Sequence, residues 1–254
     1  QPRTHLNILL IYRTHLKYIR PMKHLVILTG AGISAESGLS TFRDNNGLWQ
    51  NYDAMELASL QGYRNNREKV LEFYNARRKN LLTVEPNHAH HVIAELEKDF
   101  KVSIITQNVD DLHERAGSNN VLHLHGELRK VTGSMNPNNP KCIKEKPLDE
   151  PIVIGEKAAD GSQLRPFIVL FGESVPNIPA AKKIVAQADI FVVIGTSLNV
   201  YPAAGLLQYV PASAPGFLID PGEIDSYEAL NYHHIKTKAV EGIDILKDFL
   251  ADKL

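Results

Sequence analysis

The chain has 254 residues, of which 43% are hydrophobic and 22% charged, and its formal net charge is -1. This balance is typical of a globular protein, and it lacks the overall positive charge that attracts nucleic acid. The single cysteine, Cys142, excludes an internal disulfide framework and any metal site of this chain that needs two or more thiolates. No apolar run reaches the roughly 18 residues that a membrane-spanning helix needs. These features argue against nucleic-acid and membrane partners. We also expect the protein to be cytoplasmic and monomeric.

Residues 1–21 are interpreted as a leader, or as residues upstream of a true start at Met22. From Gln1 to Lys23 the chain carries several basic residues and no acid, as transit peptides and membrane-surface helices do. A genuine transit segment would change the expected location to the mitochondrion. The fold prediction therefore begins at Met22.

Short apolar runs alternate with helical patterns after Met22. Several runs are apolar on both faces, which predicts an α/β fold with a Rossmann-like parallel sheet and helices on both faces. We expect strands at 24–28, 102–106, 121–124, 167–171, 190–194 and 216–219. We expect helices at 88–98, 180–188 and 243–251.

Two segments interrupt this alternation. Residues 48–85 have a helical, partly polar pattern, and residues 129–163 are rich in Pro, Asn, Lys and Gly. We expect both insertions to form one smaller lobe over the carboxyl edge of the sheet, where open α/β sheets bind ligands. The core of this single domain, residues 22–254, would then comprise about 22–47, 86–128 and 164–254.

A glycine-rich turn follows the first predicted strand. Its small residues Gly30, Ala31, Gly32 and Ala35 match the G-x-G-x-x-G/A pattern, which lets a backbone approach a pyrophosphate at a helix N-terminus. A dehydrogenase would also need an acid about 20 residues further on, after a second strand. Asp53 lies near that distance but follows no apolar strand, so the pattern disfavours a dehydrogenase.

Polar residues that can recognise a nucleotide follow the next two predicted strands. Gln107, Asn108 and Asp110 can pair with a carboxamide and with ribose hydroxyls. Alternatively, they form a turn in which Asn and Asp bond their own backbone. His125 ends a strand and can accept a proton near neutral pH, or it can be structural.

The order of these motifs resembles the sirtuin family over Lys23 to Leu254. The glycine turn continues to Phe42 and Arg43 in the family's pattern. Further matching blocks occur in the same order at 47–49, 106–113, 125–126, 171–173 and 195–198. The resemblance implies an NAD-dependent protein-lysine deacylase that acts on acylated lysine side chains and releases nicotinamide and O-acyl-ADP-ribose.

The resemblance also implies roles for individual residues. His125 would be the general base, whereas Asn108 and Asp110 would hold the nicotinamide region and Gln107 the ribose. Phe42 would shield the reactive face, and Arg43 would balance phosphate charge. Without the resemblance, Phe42 and Arg43 would form an ordinary packed loop. Contacts with the rest of NAD are implied for Gly195, Thr196, Ser197 and Asp220. In the alternative interpretation, Thr196 and Ser197 cap a following helix.

Tyr74 and Arg77 are the clue to acyl specificity. They are three residues apart, so on a helix they share a face and can bind one carboxylate, although an exposed basic face is the alternative. The pair resembles the Tyr-x-x-Arg pair of sirtuins that remove succinyl, malonyl or glutaryl groups, in which the residue matching Ala58 widens the pocket. The peptide would bind as an added strand along Phe171, Gly172, Glu173 and Val200.

The small lobe departs from the family pattern. Most sirtuins bind a structural zinc there through two pairs of cysteines, whereas this chain has only Cys142. We therefore expect no metal, and a lobe held by packing and turns. Two alternative functions remain open: an NAD hydrolase or ADP-ribosyltransferase on the same fold, and a non-catalytic module that binds NAD or a peptide.

Overall fold

A computed structural model of the protein describes residues 21–40, 54–223 and 226–253. The predictions for residues 1–20, Phe42 and Arg43 lie outside these ranges. Among the described residues, no helix is both long and apolar enough to cross a membrane.

The main body is a six-stranded parallel sheet with the order β3-β2-β1-β7-β8-β9. Its strands are β1 (His24–Thr29), β2 (Lys101–Thr106), β3 (Val121–His123), β7 (Ile190–Ile194), β8 (Gly216–Ile219) and β9 (His233–Ile235). The chain first adds β2 and β3 on one side of β1 and then adds β7 on its other side. This reversal opens a crevice at the carboxyl ends of β1 and β7, which is where such sheets bind ligands.

Side chains of the central strands are buried on both faces of the sheet. Leu25 and Ile27 of β1 pack in one apolar cluster with α5 and α8 residues, while Val26 and Leu28 pack in another cluster on the opposite face. Each such side chain contributes about 1.5–3 kcal/mol when it is fully buried. The predicted Rossmann-like sheet with helices on both faces is confirmed. The helices are α1 (Gly32–Ala35), α2 (Ala54–Leu57), α3 (Leu60–Asn65), α4 (Arg67–Asn80), α5 (His88–Glu95), α6 (Leu112–Arg115), α7 (Ile178–Val185) and α8 (Ala239–Ala251).

A second sheet of three strands is antiparallel and has the order β5-β4-β6. Its strands are β4 (Gly126–Gly133), β5 (Lys144–Glu145) and β6 (Leu164–Ile168). The prediction that 167–171 is a strand of the parallel sheet is therefore wrong. The strand lies a few residues earlier and pairs with β4 across an irregularity between Glu127 and Val131. Its apolar side chains cover the core of the small lobe instead of the core of the main sheet.

Both insertions contribute to one small lobe, as predicted. Helix α4 packs on β4 and β6, and its Arg78 is completely buried. The Arg78 guanidinium donates hydrogen bonds to the main-chain carbonyls of Leu128 (2.8 Å), Lys146 (3.1 Å) and Pro147 (2.6 Å). Arg78, which belongs to the first insertion, thus holds β4 and the loop after β5 in place. Within the described ranges, no group of three His, Cys, Asp or Glu side chains could hold a metal ion.

Candidate active site

The turns that follow β1 and β7 touch each other backbone to backbone. The Gly30 amide donates to the Ile194 carbonyl at 3.0 Å, and the Gly32 amide donates to the Gly195 carbonyl at 2.8 Å. A Cβ atom on Gly32 would lie 2.6 Å from the Gly195 Cα atom. The glycines therefore serve first to bring these two turns together. The helix that follows the glycine turn, α1, is four residues long.

Substitution of Gly32 by alanine is expected to destabilise the protein by about 1–3 kcal/mol, because the new methyl group meets main-chain atoms that cannot move aside. Thermal unfolding of the purified protein measures this change. The matched control is Gly205→Ala, whose Cβ would lie 3.7 Å from the Tyr201 ring, an ordinary contact. Equal Tm values for the two variants would contradict the close contact between the turns.

Asn108 lies at the carboxyl end of β2 and is 8% exposed. Its Nδ2 donates to the Gly30 carbonyl (3.1 Å) and to Ser34 Oγ (3.2 Å), and Ser34 Oγ in turn donates to Asp110 Oδ2 (3.0 Å). Burial raises the pKa of Asp110, and its hydrogen bonds from Leu112 and Ser34 offset this only in part. The structure thus brings the predicted residues Asn108 and Asp110 together through Ser34. Sequence reasoning missed Ser34, although it lies within the glycine motif.

His125 has the geometry of a general base. Its Nδ1 lies 2.9 Å from the Gln107 carbonyl, and because a carbonyl only accepts, Nδ1 carries the proton. The lone pair is then on Nε2. Burial lowers the pKa of His125, and the hydrogen bond to Gln107 offsets this only in part. The imidazole is therefore neutral and able to accept a proton at neutral pH.

The remaining predicted NAD contacts follow strands that end at the same edge. Gln107 Nε2 donates to Thr196 Oγ1 at 3.1 Å, which joins the ends of β2 and β7. Thr196 Oγ1 also accepts from the Leu198 amide at 3.3 Å, so it caps its own turn. Asp220 follows β8 and is 6% exposed. Its Oδ1 accepts from the Gly222 amide at 2.8 Å.

The predicted acyl-recognition residues lie on and beside α4. Tyr74 is buried, which raises the pKa of its phenol to about 12, so this group is neutral. Arg77 is half-buried, and burial lowers the pKa of its guanidinium. Electrostatic interactions with Tyr74 and Asp110 raise this pKa and offset the effect of burial only in part. The Ala58 carbonyl accepts from the Phe171 amide at 2.8 Å. Ala58 is therefore adjacent to Phe171, a predicted peptide contact that is 41% exposed.

The comparisons with known proteins agree with this geometry. The sequence model of the Sir2 family matches residues 30–202 of this chain. The chain belongs to the Sir2 family. A protein of Bacteroides thetaiotaomicron named NAD-dependent protein deacylase is 57% identical over 230 residues, covering 90% of this chain and 98% of the relative. A Helicobacter pylori protein of the same name is 52% identical over 225 residues, covering 89% of this chain and 96% of the relative.

Solved structures of Sir2 homologues have the same fold. A homologue in complex with NAD has a TM-score of 0.79 and is 41% identical, covering 95% of this chain and 94% of the homologue. A Sir2 complex with a p53 peptide and NAD+ has a TM-score of 0.72 and is 28% identical, covering 94% of this chain and 98% of the other. The predicted class, an NAD-dependent protein deacylase of the Sir2 family with NAD as cosubstrate, is confirmed.

Glu173 shows that a Sir2 motif residue can have a structural side chain. Its carboxylate binds the buried Arg165 guanidinium through two contacts of 2.7 and 3.0 Å and accepts from the Leu170 amide at 2.9 Å. The side chain therefore holds the loop. Gly172 beside it is exposed and Val200 is half-buried. Their contacts with substrate stay predictions.

Proposed function

We propose that this Sir2-family deacylase removes acyl groups that end in a carboxylate, such as succinyl and malonyl, as well as or in preference to acetyl. The pairing of Tyr74 and Arg77 on one face of α4 supports the proposal. Tyr74 is buried and Arg77 is half-buried, and a charge-assisted hydrogen bond is stronger in such surroundings than in water. A carboxylate at the tip of the acyl chain would accept from the phenol and from the guanidinium. The small side chain of Ala58 would leave room for the longer chain.

The chemistry of the site follows from the groups at the edge of the sheet. NAD, when bound, supplies the ribose carbon that receives the acyl oxygen and the nicotinamide that leaves. His125 accepts a proton from a ribose hydroxyl at Nε2, while the Gln107 carbonyl keeps the other ring proton on Nδ1. Asn108 and Asp110 hold the nicotinamide region, and Gln107 together with Thr196 orients the ribose end of the cleft.

Substitution of Arg77 by methionine is expected to lower kcat/KM for a succinyl-lysine peptide by about 10- to 100-fold, because a charged hydrogen bond of about 1.5–3 kcal/mol is lost. Turnover of the matched acetyl-lysine peptide should change little. Mass spectrometry of the released lysine, with NAD present, measures both rates. The control is Lys79→Met, which removes an exposed cation from the same helix.

Three other results would contradict the proposal. Equal losses on both peptides would mean that Arg77 supports the fold or NAD binding and not the acyl carboxylate. Free ADP-ribose without lysine release would indicate an NAD hydrolase. Binding of NAD without turnover of either peptide would indicate a non-catalytic module.

A further inference from the structure

The end of β3 holds the turn that carries Asn108. The Leu124 amide donates to the Thr106 carbonyl at 2.8 Å, and His125 Nδ1 reaches the Gln107 carbonyl at 2.9 Å. His123 Nδ1 lies 2.9 Å from the Asn108 carbonyl. Three consecutive carbonyls of this turn are therefore bound by three consecutive residues, 123–125. His125 has a chemical task, whereas nothing in the proposed reaction uses His123.

His123 differs from His125 in having a second acceptor. Its Nε2 lies 2.8 Å from Glu114 Oε1, and its side chain is 8% exposed. A carbonyl and a carboxylate both accept only, so both ring nitrogens must donate. His123 is therefore an imidazolium, whereas His125, two residues further on, is a neutral base. His123 thus links the Glu114 carboxylate of α6 to the main-chain carbonyl of Asn108.

Several charged or titratable groups surround His123. They are Glu114, Asp110 and His113 on the side of α6, and Glu127 and Lys130 on β4. Burial alone would lower the pKa of His123, but the bonds to Glu114 and Asn108 and the charge of Glu127 outweigh it, so the pKa is raised. The pKa of Glu114 is lowered because its contacts with His123 outweigh its own burial. Both shifts favour the ion pair.

We propose that His123, held by Glu114, is a positioning residue that fixes the main chain of Asn108 and thereby aims its amide at the nicotinamide end of NAD. The inference rests on the proposed role of Asn108. Rotation of the peptide unit at residue 108 would move the Asn108 side chain, whose Nδ2 now lies 3.1 Å from the Gly30 carbonyl and 3.2 Å from Ser34 Oγ. A neutral His123 can donate only one hydrogen bond, so it must release either Asn108 or Glu114.

The protonation of His123 can be measured without turnover. Imidazole nitrogen chemical shifts of the ¹⁵N-labelled protein, assigned with His123→Gln, should show both His123 nitrogens protonated at pH 7. In Glu114→Gln the pKa should fall by about one unit or more, because an ionised acceptor is replaced by a neutral one. A parent protein with one unprotonated His123 nitrogen at pH 7 would overturn the proposal.

The positioning role is tested by NAD binding and steady-state kinetics of Glu114→Met, because a glutamine at this position could donate to Nε2 of a neutral His123 and leave its bond to Asn108 intact. We expect Kd and KM for NAD to rise roughly tenfold, with little change in KM for the acyl peptide or in Tm, because only the aim of one amide is altered. In the parent, KM for NAD should rise as the pH increases through the pKa of His123. In Glu114→Met this rise should begin at a lower pH. His123→Gln should resemble the parent at alkaline pH.

The control is His24→Gln. His24 lies at the amino-terminal end of β1, whereas the candidate site lies at the carboxyl ends of the strands. His24 is also buried and has two partners, Ser103 Oγ at 2.8 Å and the Gln187 carbonyl at 3.1 Å. This variant should keep the parent's Kd for NAD. The proposal is wrong if Glu114→Met keeps the parent's NAD parameters at every pH. If the parent binds NAD but releases lysine from no peptide, the proposed function fails, and the Kd comparison still decides the role of His123.

Discussion

Replacing His125 with asparagine is expected to lower kcat/KM for acyl-lysine release by about 10²- to 10⁴-fold, the usual contribution of a positioned general base. The asparagine amide can still donate to the Gln107 carbonyl, but it has no lone pair that accepts a proton near neutral pH. Lysine release measured by mass spectrometry gives the rate, and thermal unfolding tests whether the fold is kept. The control is His91→Asn, an exposed histidine of α5.

The pH dependence of the parent provides an independent check of His125. Burial lowers the pKa of this side chain below 6.5, so the neutral base is present at pH 7 and is lost only as the pH falls through that lower value. The acid limb of kcat/KM should therefore have its midpoint below pH 6.5. An acid limb at the same position in His125→Asn would assign the titration to another group.

Replacement of Arg78 by methionine is expected to cost about 3–5 kcal/mol of folding free energy, because a buried and two partly buried hydrogen bonds to main-chain carbonyls lose their donor. For a chain of this size the Tm should fall by roughly 10 °C. Arg78→Lys should recover little, since a single ammonium group cannot reproduce the planar arrangement of guanidinium donors. Calorimetry or circular dichroism measures the change.

The control for Arg78 is the neighbouring Lys79→Met, which removes an exposed cation from the same helix. Its Tm should stay within a few degrees of the parent value, because exposed charges contribute little to stability. A similar Tm for both variants would mean that the Leu128 and Pro147 carbonyls find other donors. The small lobe would then depend on its apolar packing alone.

The main sheet could be predicted because its central strands have an unmistakable pattern. Residues of β1 and β7 are apolar and buried on both faces, and few structures other than a covered parallel sheet need such runs. The run from Phe167 to Phe171 has the same composition but lies partly in the antiparallel sheet. Hydrophobicity reports burial and does not identify which core a segment joins. β9 was missed because two of its three residues are histidines.

The site could be predicted where a residue follows a strand. Asn108 and Asp110 come after β2, and the topology of the sheet brings them to the crevice. Ser34 and His123 were missed because their partners depend on tertiary contacts, such as the bond from Asn108 Nδ2 to Ser34 across 74 residues. Family resemblance selected His125 over His123. The physical difference between them, a second acceptor from Glu114, is visible only in three dimensions.

The register of the short strand β3 against β2 determines which side chains reach the candidate site. Side chains alternate from Leu122 in β3 to His125 just beyond it, so His123 and His125 reach the Asn108 turn while Leu122 and Leu124 pack in the apolar cluster on the other side. A slip of one residue would exchange both histidines for leucines at once. Such a slip would take the imidazole of residue 125 away from the Gln107 carbonyl and would expose two leucines. The register of this short segment against β2 therefore matters to the candidate site as much as the identity of its residues.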